Sequence, residues 1–121
     1  MDVIDEGYFD VDGFANELVL AASNGKVGTT LSLENEWVRV WEVRVNPGER
    51  CPFHAHAFPY FWTCVAGGIG KQRSPDGTMK IRRYADGETQ FSTPSVADPL
   101  IHDLENVGNT ILRFVTVELL R

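Results

Sequence analysis

The sequence predicts an all-β protein of one domain, a sandwich or small barrel preceded by a short helical arm. Three observations carry that prediction. From about residue 29 onward, runs rich in β-branched and aromatic residues follow one another at strand length. Each run stops at a cluster of Gly, Pro, Asn or Asp, the residues that turns require. The chain has 121 residues, 43% of them hydrophobic, which suits one sizeable core. Many short strands separated by regular turns close into a sandwich or barrel.

In chain order, Asp12-Gly13 caps a helix expected over residues 14–22, where Phe14, Leu18 and Ala21 share a face and Ser23-Asn24-Gly25 gives the stop. Residues 1–30 are therefore read as an arm or lid with a short helix, and residues 31–121 as the β-barrel domain. The first clear strand spans residues 36–45 and stops at Asn46-Pro47-Gly48. The next is read over 54–65, ending at Ala66-Gly67-Gly68. Strands over 69–73 and 79–84 flank the turn Ser74-Pro75-Asp76-Gly77. Strands at 100–104 and 111–119 flank Asn106-Val107-Gly108-Asn109-Thr110. No repeat, low-complexity tract or linker argues for a second domain.

A net charge of −6 disfavours nucleic acid and anionic bilayers as partners, since both reward positive charge. No apolar run approaches the ~20 residues of a membrane helix. The start, Met1-Asp2-Val3-Ile4-Asp5-Glu6, is acidic where a secretory signal is basic, so the expected location is the cytoplasm. The two cysteines, Cys51 and Cys64, are too few for a disulfide framework and read as reduced, packed thiols. Cys64 lies eight residues beyond His56, roughly 26 Å along a straight strand, which argues against a role as a ligand.

The chain has three histidines, and all fall where one metal centre would need them. His54 and His56 are two apart, so on a strand both imidazoles point to the same face. His102, from a distant strand, completes a set of three nitrogen donors. A His-x-His pair also arises by chance, and a lone histidine on an apolar face is commonly a core residue. Three of three in two ordered motifs argue against coincidence.

These motifs resemble those of the cupins, small β-barrels of the jelly-roll type. The first cupin motif is Gly, five residues, His-x-His, three or four residues, Glu, six residues, Gly; Gly48, His54, His56 and Gly67 or Gly68 keep that spacing. In the second, a His precedes an Asn by four positions, matched by His102 and Asn106. The resemblance covers about residues 31–119 and implies a jelly-roll barrel. A closer likeness, over residues 34–49, Tyr60-Phe61-Trp62 and 102–110, is to small bacterial cupins, some linked by name to β-alanine degradation. Two departures stand out. Where the pattern has Glu, this chain has Tyr60 or Phe61. The Pro-x-Gly ahead of the second-motif His is also missing, and Gly87 lies four residues too far upstream, which implies an extra loop at the barrel mouth.

Without that carboxylate, three neutral imidazoles leave a divalent ion its full double charge. Such an ion is a stronger Lewis acid and keeps up to three positions open on a six-coordinate centre, enough for a bidentate substrate plus dioxygen. Fe(II) is the favoured ion on these grounds; Zn, Ni, Mn and Cu are also compatible with imidazole ligands. Among cupins, three-histidine centres resemble those of thiol and diketone-cleaving dioxygenases.

Tyr60 shares strand parity with the two histidines, so its hydroxyl is a candidate partner or weak ligand at the metal; Trp62, on the same face, is a candidate wall of a substrate pocket. Both also read as core aromatics. Arg39 and Trp41 alternate against Val38, Val40 and Glu42; if the Arg39 face points inward, its guanidinium is placed to bind a substrate carboxylate, and otherwise it is a solvated surface arginine. Asn106 is expected to fix its turn, and Lys80, Arg82 and Arg83 to form a solvated strand face. The expected function is a Fe(II) dioxygenase acting on a small polar, thiol or dicarbonyl substrate. The alternative is a metal-dependent sensor or binding module; a metal-free isomerase with a histidine base is disfavoured by the His-x-His pair. A homodimer is expected from the resemblance and from the sheet edges that need covering.

Overall fold

In the computed structural model, which describes residues 2–121, the chain forms two five-stranded sheets. Its strands are β1 (Asp2–Tyr8), β2 (Thr30–Glu34), β3 (Val38–Val45), β4 (Arg50–His56), β5 (Tyr60–Ala66), β6 (Gly68–Arg73), β7 (Thr78–Tyr84), β8 (Thr89–Ser92), β9 (Leu100–Asn106) and β10 (Leu112–Leu119). Helix α1 (Ala15–Ala21) lies between β1 and β2. One sheet has the order β1-β7-β6-β9-β4, the other β2-β3-β10-β5-β8. Paired strands run antiparallel, giving the expected all-β jelly roll. Among the described residues, no helix is long and apolar enough to cross a membrane.

The strongest strand signals form the centre of the second sheet. β3 and β10 pair without a register break, from Leu112 opposite Val45 to Leu119 opposite Val38. Alternation along both buries one face: Trp41, Val43 and Val45 from β3, Leu112 and Phe114 from β10. With Cys64, Tyr84 and Leu104, all of these but Trp41 make the core between the sheets. Glu118 is also buried on this face, accepting from Trp41 Nε1 at 2.7 Å and lying 3.8 Å from Arg39 Nε.

The run read as a single strand over 54–65 is two strands in different sheets. Ala57, Phe58 and Pro59 separate β4 from β5. Pro59 lacks the N–H a ladder needs and restricts the residue before it, so the chain leaves one sheet there and enters the other. β4 also begins earlier than expected, at Arg50, and contains Pro52 at a bulge. β1, β2 and β8 lie outside the strands read from sequence. β1 is the acidic N-terminal run, held against the basic strand β7 with Asp2 opposite Arg83 and Glu6 opposite Lys80. Opposite charges facing each other across a strand pair favour that register by a few tenths of a kcal/mol each.

The N-terminal segment is thus an edge strand followed by a strap. After β1, Asp10 caps a short 3-10 turn (Val11–Phe14), accepting from Asp12 N, in place of the expected Asp12-Gly13 cap. Phe14 then packs edge-on to Phe53 and Phe9, and Ala21 is buried. The rest of the segment runs along the free edge of β4. The Glu17 carboxylate accepts from Phe53 N at 2.8 Å, Ala55 N donates to Asn24 O at 2.8 Å, and Asn24 Nδ2 donates to Phe53 O at 3.0 Å.

Glu17 also forms an ion pair with Arg50, and that guanidinium holds the Glu17 carboxyl below its ordinary value of 4.5. A carboxyl depressed on folding stabilises the fold above its unfolded value, and the contribution is lost as pH falls through the folded one. We therefore expect Glu17→Gln to lower stability by about 1 kcal/mol at neutral pH, a modest figure because the pair is partly solvated. The difference from wild type should shrink below about pH 4. Urea unfolding at pH 7 and pH 3.5 checks this; an equal difference at both would show that the Arg50 pair is not its source.

Candidate metal centre

His54 and His56 project from β4 and His102 from β9. The β4–β9 register sets His54 directly opposite His102. Between Cys51 and His54, β4 advances three residues while β9 advances two, so the bulge at Pro52 absorbs one. Because of that extra residue, Cys51 shares the cavity face with His54 and His56, although spacing alone would put it on the other. Phe53 and Ala55 face away and are buried.

The three Nε2 atoms converge. His56 Nε2 lies 3.1 Å from both His54 Nε2 and His102 Nε2, and the donor atoms of the three all lie within 4.8 Å of one another. His54 Nδ1 is 2.8 Å from the Pro52 carbonyl, which can only accept; the ring proton is therefore on Nδ1, and Nε2 carries a free lone pair. His102 Nδ1 lies 3.4 Å from the Gln72 side-chain amide nitrogen. His56 Nδ1 is buried without a hydrogen-bond partner, and its ring is held face to face by Tyr60, with centroids 4.0 Å apart and planes at 14°.

Burial lowers the pKa of all three imidazoles. His56 is pushed down to about 3, with His54 adding to the effect; His54 is lowered, and His102 falls well below the usual histidine range. They are neutral at pH 7 and offer lone pairs to a cation. These features fit a divalent ion. Two nitrogens 3.1 Å apart, each about 2.1 Å from an ion, subtend roughly 95° at it, near the right angle of an octahedral face. Among the described residues no carboxylate joins the three histidines.

The site opens into a cavity of about 420 Å³ between the sheets. Tyr60 and Trp62 line it. Of the two residues standing where the pattern has Glu, Tyr60 faces the site and is buried, while Phe61 does not line the cavity. The Tyr60 hydroxyl is hydrogen-bonded with Ser92, so this residue meets the centre through its ring face. Trp62 also packs edge-on to Tyr84 and Phe114, joining wall and core.

Arg39 requires a correction. Its strand face does point inward, in the same cross-strand row as Glu118 and Tyr60, but it pairs with Glu118, lies over Phe58 at 5.2 Å, and does not line the cavity. The basic run on β7 is corrected in the opposite sense. Lys80 and Arg82 line the cavity, and only Arg83 keeps the outer face. Cys64 is a buried core thiol away from the ligands, and both cysteines are free. Asn106 fixes its turn, donating to Val45 O and Thr110 O and accepting from Gly108 N. In place of the missing Pro-x-Gly, Ser95 and Asp98 close a turn between two cavity-lining residues, Ser92 and Leu100. Gln72, Gln90 and Thr116 line the cavity and were not singled out by sequence reading. Gln72 was legible in part, since it shares strand parity with Gly70, which abuts Leu104 and Tyr84 in the core.

The sequence matches no protein-family profile and no curated protein. Solved structures do match. A cupin domain from Bordetella pertussis Tohama I superposes with a TM-score of 0.65 at 24% identity, over 74% of this chain and 88% of that one. A conserved protein with a double-stranded β-helix domain from Klebsiella pneumoniae gives 0.58 at 23% identity, over 90% and 85%. A DMSP lyase from Ruegeria pomeroyi DSS-3 gives 0.52 at 15% identity, over 70% and 39%. The chain has the cupin fold, the double-stranded β-helix, with three histidines gathered in its barrel.

Each of His54→Ala, His56→Ala and His102→Ala should lower divalent-metal occupancy at least tenfold while the barrel stays folded, since each removes one donor and little core. Elemental analysis with circular dichroism reads both; full occupancy in His102→Ala would sink the three-histidine centre. Tyr60→Glu places a carboxylate beside His56 and should tighten metal binding measured by chelator competition, because it offsets part of the ion's charge. Unchanged affinity would mean that the new side chain turns from the centre.

Proposed function

We propose that this protein is a metal-dependent oxidoreductase in which His54, His56 and His102 hold iron(II) and the cavity receives a small chelating substrate of the thiol, dicarbonyl or polar-acid type. The observation that carries this reading is a set of three neutral, mostly buried imidazoles with no carboxylate among them. When bound, the ion would supply Lewis acidity and a redox change for chemistry with dioxygen, with positions left open for substrate.

The chain's own residues would do the rest. The Tyr60 ring limits rotation of His56, the Pro52 carbonyl orients His54, and Gln72 orients His102; such outer partners keep ligand nitrogens aimed at one point. Trp62, Phe114 and Leu104 give an apolar wall that keeps bulk water from one side of the substrate. Ser92, Gln90 and Thr116 offer polar atoms that could orient it from the other sheet.

A second reading, a binding or sensing module using the same ion, draws support from the cavity's lining, which among the described residues contains no carboxylate to act as a general base. The likeness to a DMSP lyase adds non-oxidative chemistry as a third outcome, resting on fold alone.

Oxygen uptake separates these. Anaerobic Fe(II)-loaded protein, mixed with thiol acids, 1,3-dicarbonyls and small hydroxy acids and then exposed to air, should consume dioxygen in proportion to product. The Zn(II)-loaded form should consume none, zinc having no accessible redox change. A ligand held in air without conversion would establish the binding module, and product formed without oxygen uptake the non-oxidative reading.

A further inference from the structure

β3 and β10 carry apolar side chains on the side of their sheet that faces away from the barrel. An antiparallel sheet with one solvated face alternates apolar residues inward and polar residues outward. Over part of these strands that order is reversed. On β10, Thr116 and Glu118 are buried inside while Val115, Val117 and Leu119 point out; on β3, Arg39 points in while Val38 and Val40 point out. Strands that are apolar outward as well as inward are those whose two faces are both covered.

Strand pairing joins these outward side chains into a row across the whole sheet. Leu33 of β2 stands opposite Val40, Val40 opposite Val117, Val117 opposite Phe61, and Phe61 opposite Phe91 of β8. The row points outward because its strand neighbours Tyr60, Trp62, Gln90, Ser92 and Thr116 line the cavity, and successive side chains alternate. At its two ends Leu33 is 50% and Phe91 58% exposed, and the three residues between them are half-buried.

Charge is sorted along the same face. Among the described residues, the ionic groups at outward positions of these strands are Glu42, Arg44 and Arg113, all toward one end, and Glu42 pairs with Arg113 at 3.3 Å. The chain as a whole carries a net charge of −6, so two copies repel over most of their surfaces. On this face they meet without that repulsion.

We propose that the outer face of the β2-β3-β10-β5-β8 sheet is the interface of a homodimer, covered by the same face of a second copy of this chain. Sheets pack face to face about 10 Å apart, with their strands within about 30° of alignment. The row is self-complementary, which favours a second copy over another partner. Val117 is its centre, with the aliphatic Leu33 and Val40 on one side and the aromatic Phe61 and Phe91 on the other. A two-fold axis running along β10 sets the aromatic half of one copy against the aliphatic half of the other, so that large side chains meet small ones. Size agrees as well. Five strands about 4.8 Å apart, the central ones eight residues or about 26 Å long, present roughly 500 Å² in projection before side-chain relief is added, on the scale of the about 800 Å² that a stable complex buries per partner. The contact is thus a sheet face and not an open sheet edge, and it stands independently of the metal, whose candidate ligands all lie in the other sheet.

Sedimentation velocity of the full chain at micromolar concentrations tests this. Wild type should run at twice the mass of the chain. Val117→Lys places a charge at the centre of the face and should raise the dimer dissociation constant at least about tenfold. Phe91→Lys, at an exposed position on a four-residue edge strand, should do the same with little effect on the fold, and it keeps the test decisive if Val117→Lys does not fold. Val19→Lys adds the same charge at an apolar position 79% exposed on α1 and should leave the dimer unchanged. Circular dichroism checks that each variant is folded. A monomeric wild type would overturn the proposal, and co-sedimentation with phosphatidylcholine vesicles would then tell whether lipid, rather than a different protein, covers the face. A dimer that survives Phe91→Lys would overturn it by moving the contact to another surface, and equal dissociation by Val19→Lys would do so by showing that added charge matters and its place does not.

Discussion

β4 is an edge strand that carries two of the three candidate ligands, and an edge strand is the part of a sheet least held in place. Its inner edge is paired to β9, which fixes His54 against His102. Its outer edge would present unpaired backbone groups at Phe53 and Ala55, next to the imidazoles. The N-terminal segment occupies that edge with three hydrogen bonds from Glu17 and Asn24. The strap thus helps hold β4, and with it His54 and His56, in place, and the strap is itself tied down where α1 brings Glu17 to Arg50.

Behind the ligands lies a charged network that ties strap and sheet together. Asp103, next to His102 but on the opposite face of β9, is fully buried. It accepts from Arg73 N at 2.7 Å and from the Arg73 and Arg50 guanidinium groups at 2.9 Å each. Arg73 continues to Glu105, Arg50 to Glu17, and both guanidinium groups lie 5.0 Å from the Phe14 ring. Burying such a group is expensive unless every charge is matched; removing one partner of a matched set typically costs about 3–5 kcal/mol. Here the carboxylate's oxygens are both engaged, so the cluster specifies one arrangement of β4, β6, β9 and the N-terminal strap.

The two faces of the same sheet therefore divide the chain's charge. Outside, carboxylates and guanidinium groups are paired in a network beneath the strap. Inside, no carboxylate lines the cavity, Lys80 and Arg82 do, and the imidazoles are kept neutral by burial. Alternation along β7 and β9 produces this division directly: Asp103 faces one way and His102 the other, Arg83 one way and Arg82 the other.

The sequence by itself determined what local geometry controls. His54 and His56 share a face because the pleat repeats every two residues. The all-β class, the turn at Asn106, and the strands at β3, β6, β7 and β10 follow from composition and punctuation in the same way. Tertiary structure decided everything that depends on which strands meet. The register that brings His102 opposite His54, the bulge that turns Cys51 inward, and the passage of the chain between sheets at residues 57–59 are long-range pairings. Tyr60 illustrates the difference: parity along one continuous strand predicted that it faces His56, yet it does so from the other sheet, across the barrel. Arg39 and Arg82 illustrate it again, since parity told that each shares a face with its neighbours two away, and only closure of the barrel determined which face, at which height, looks onto the histidines.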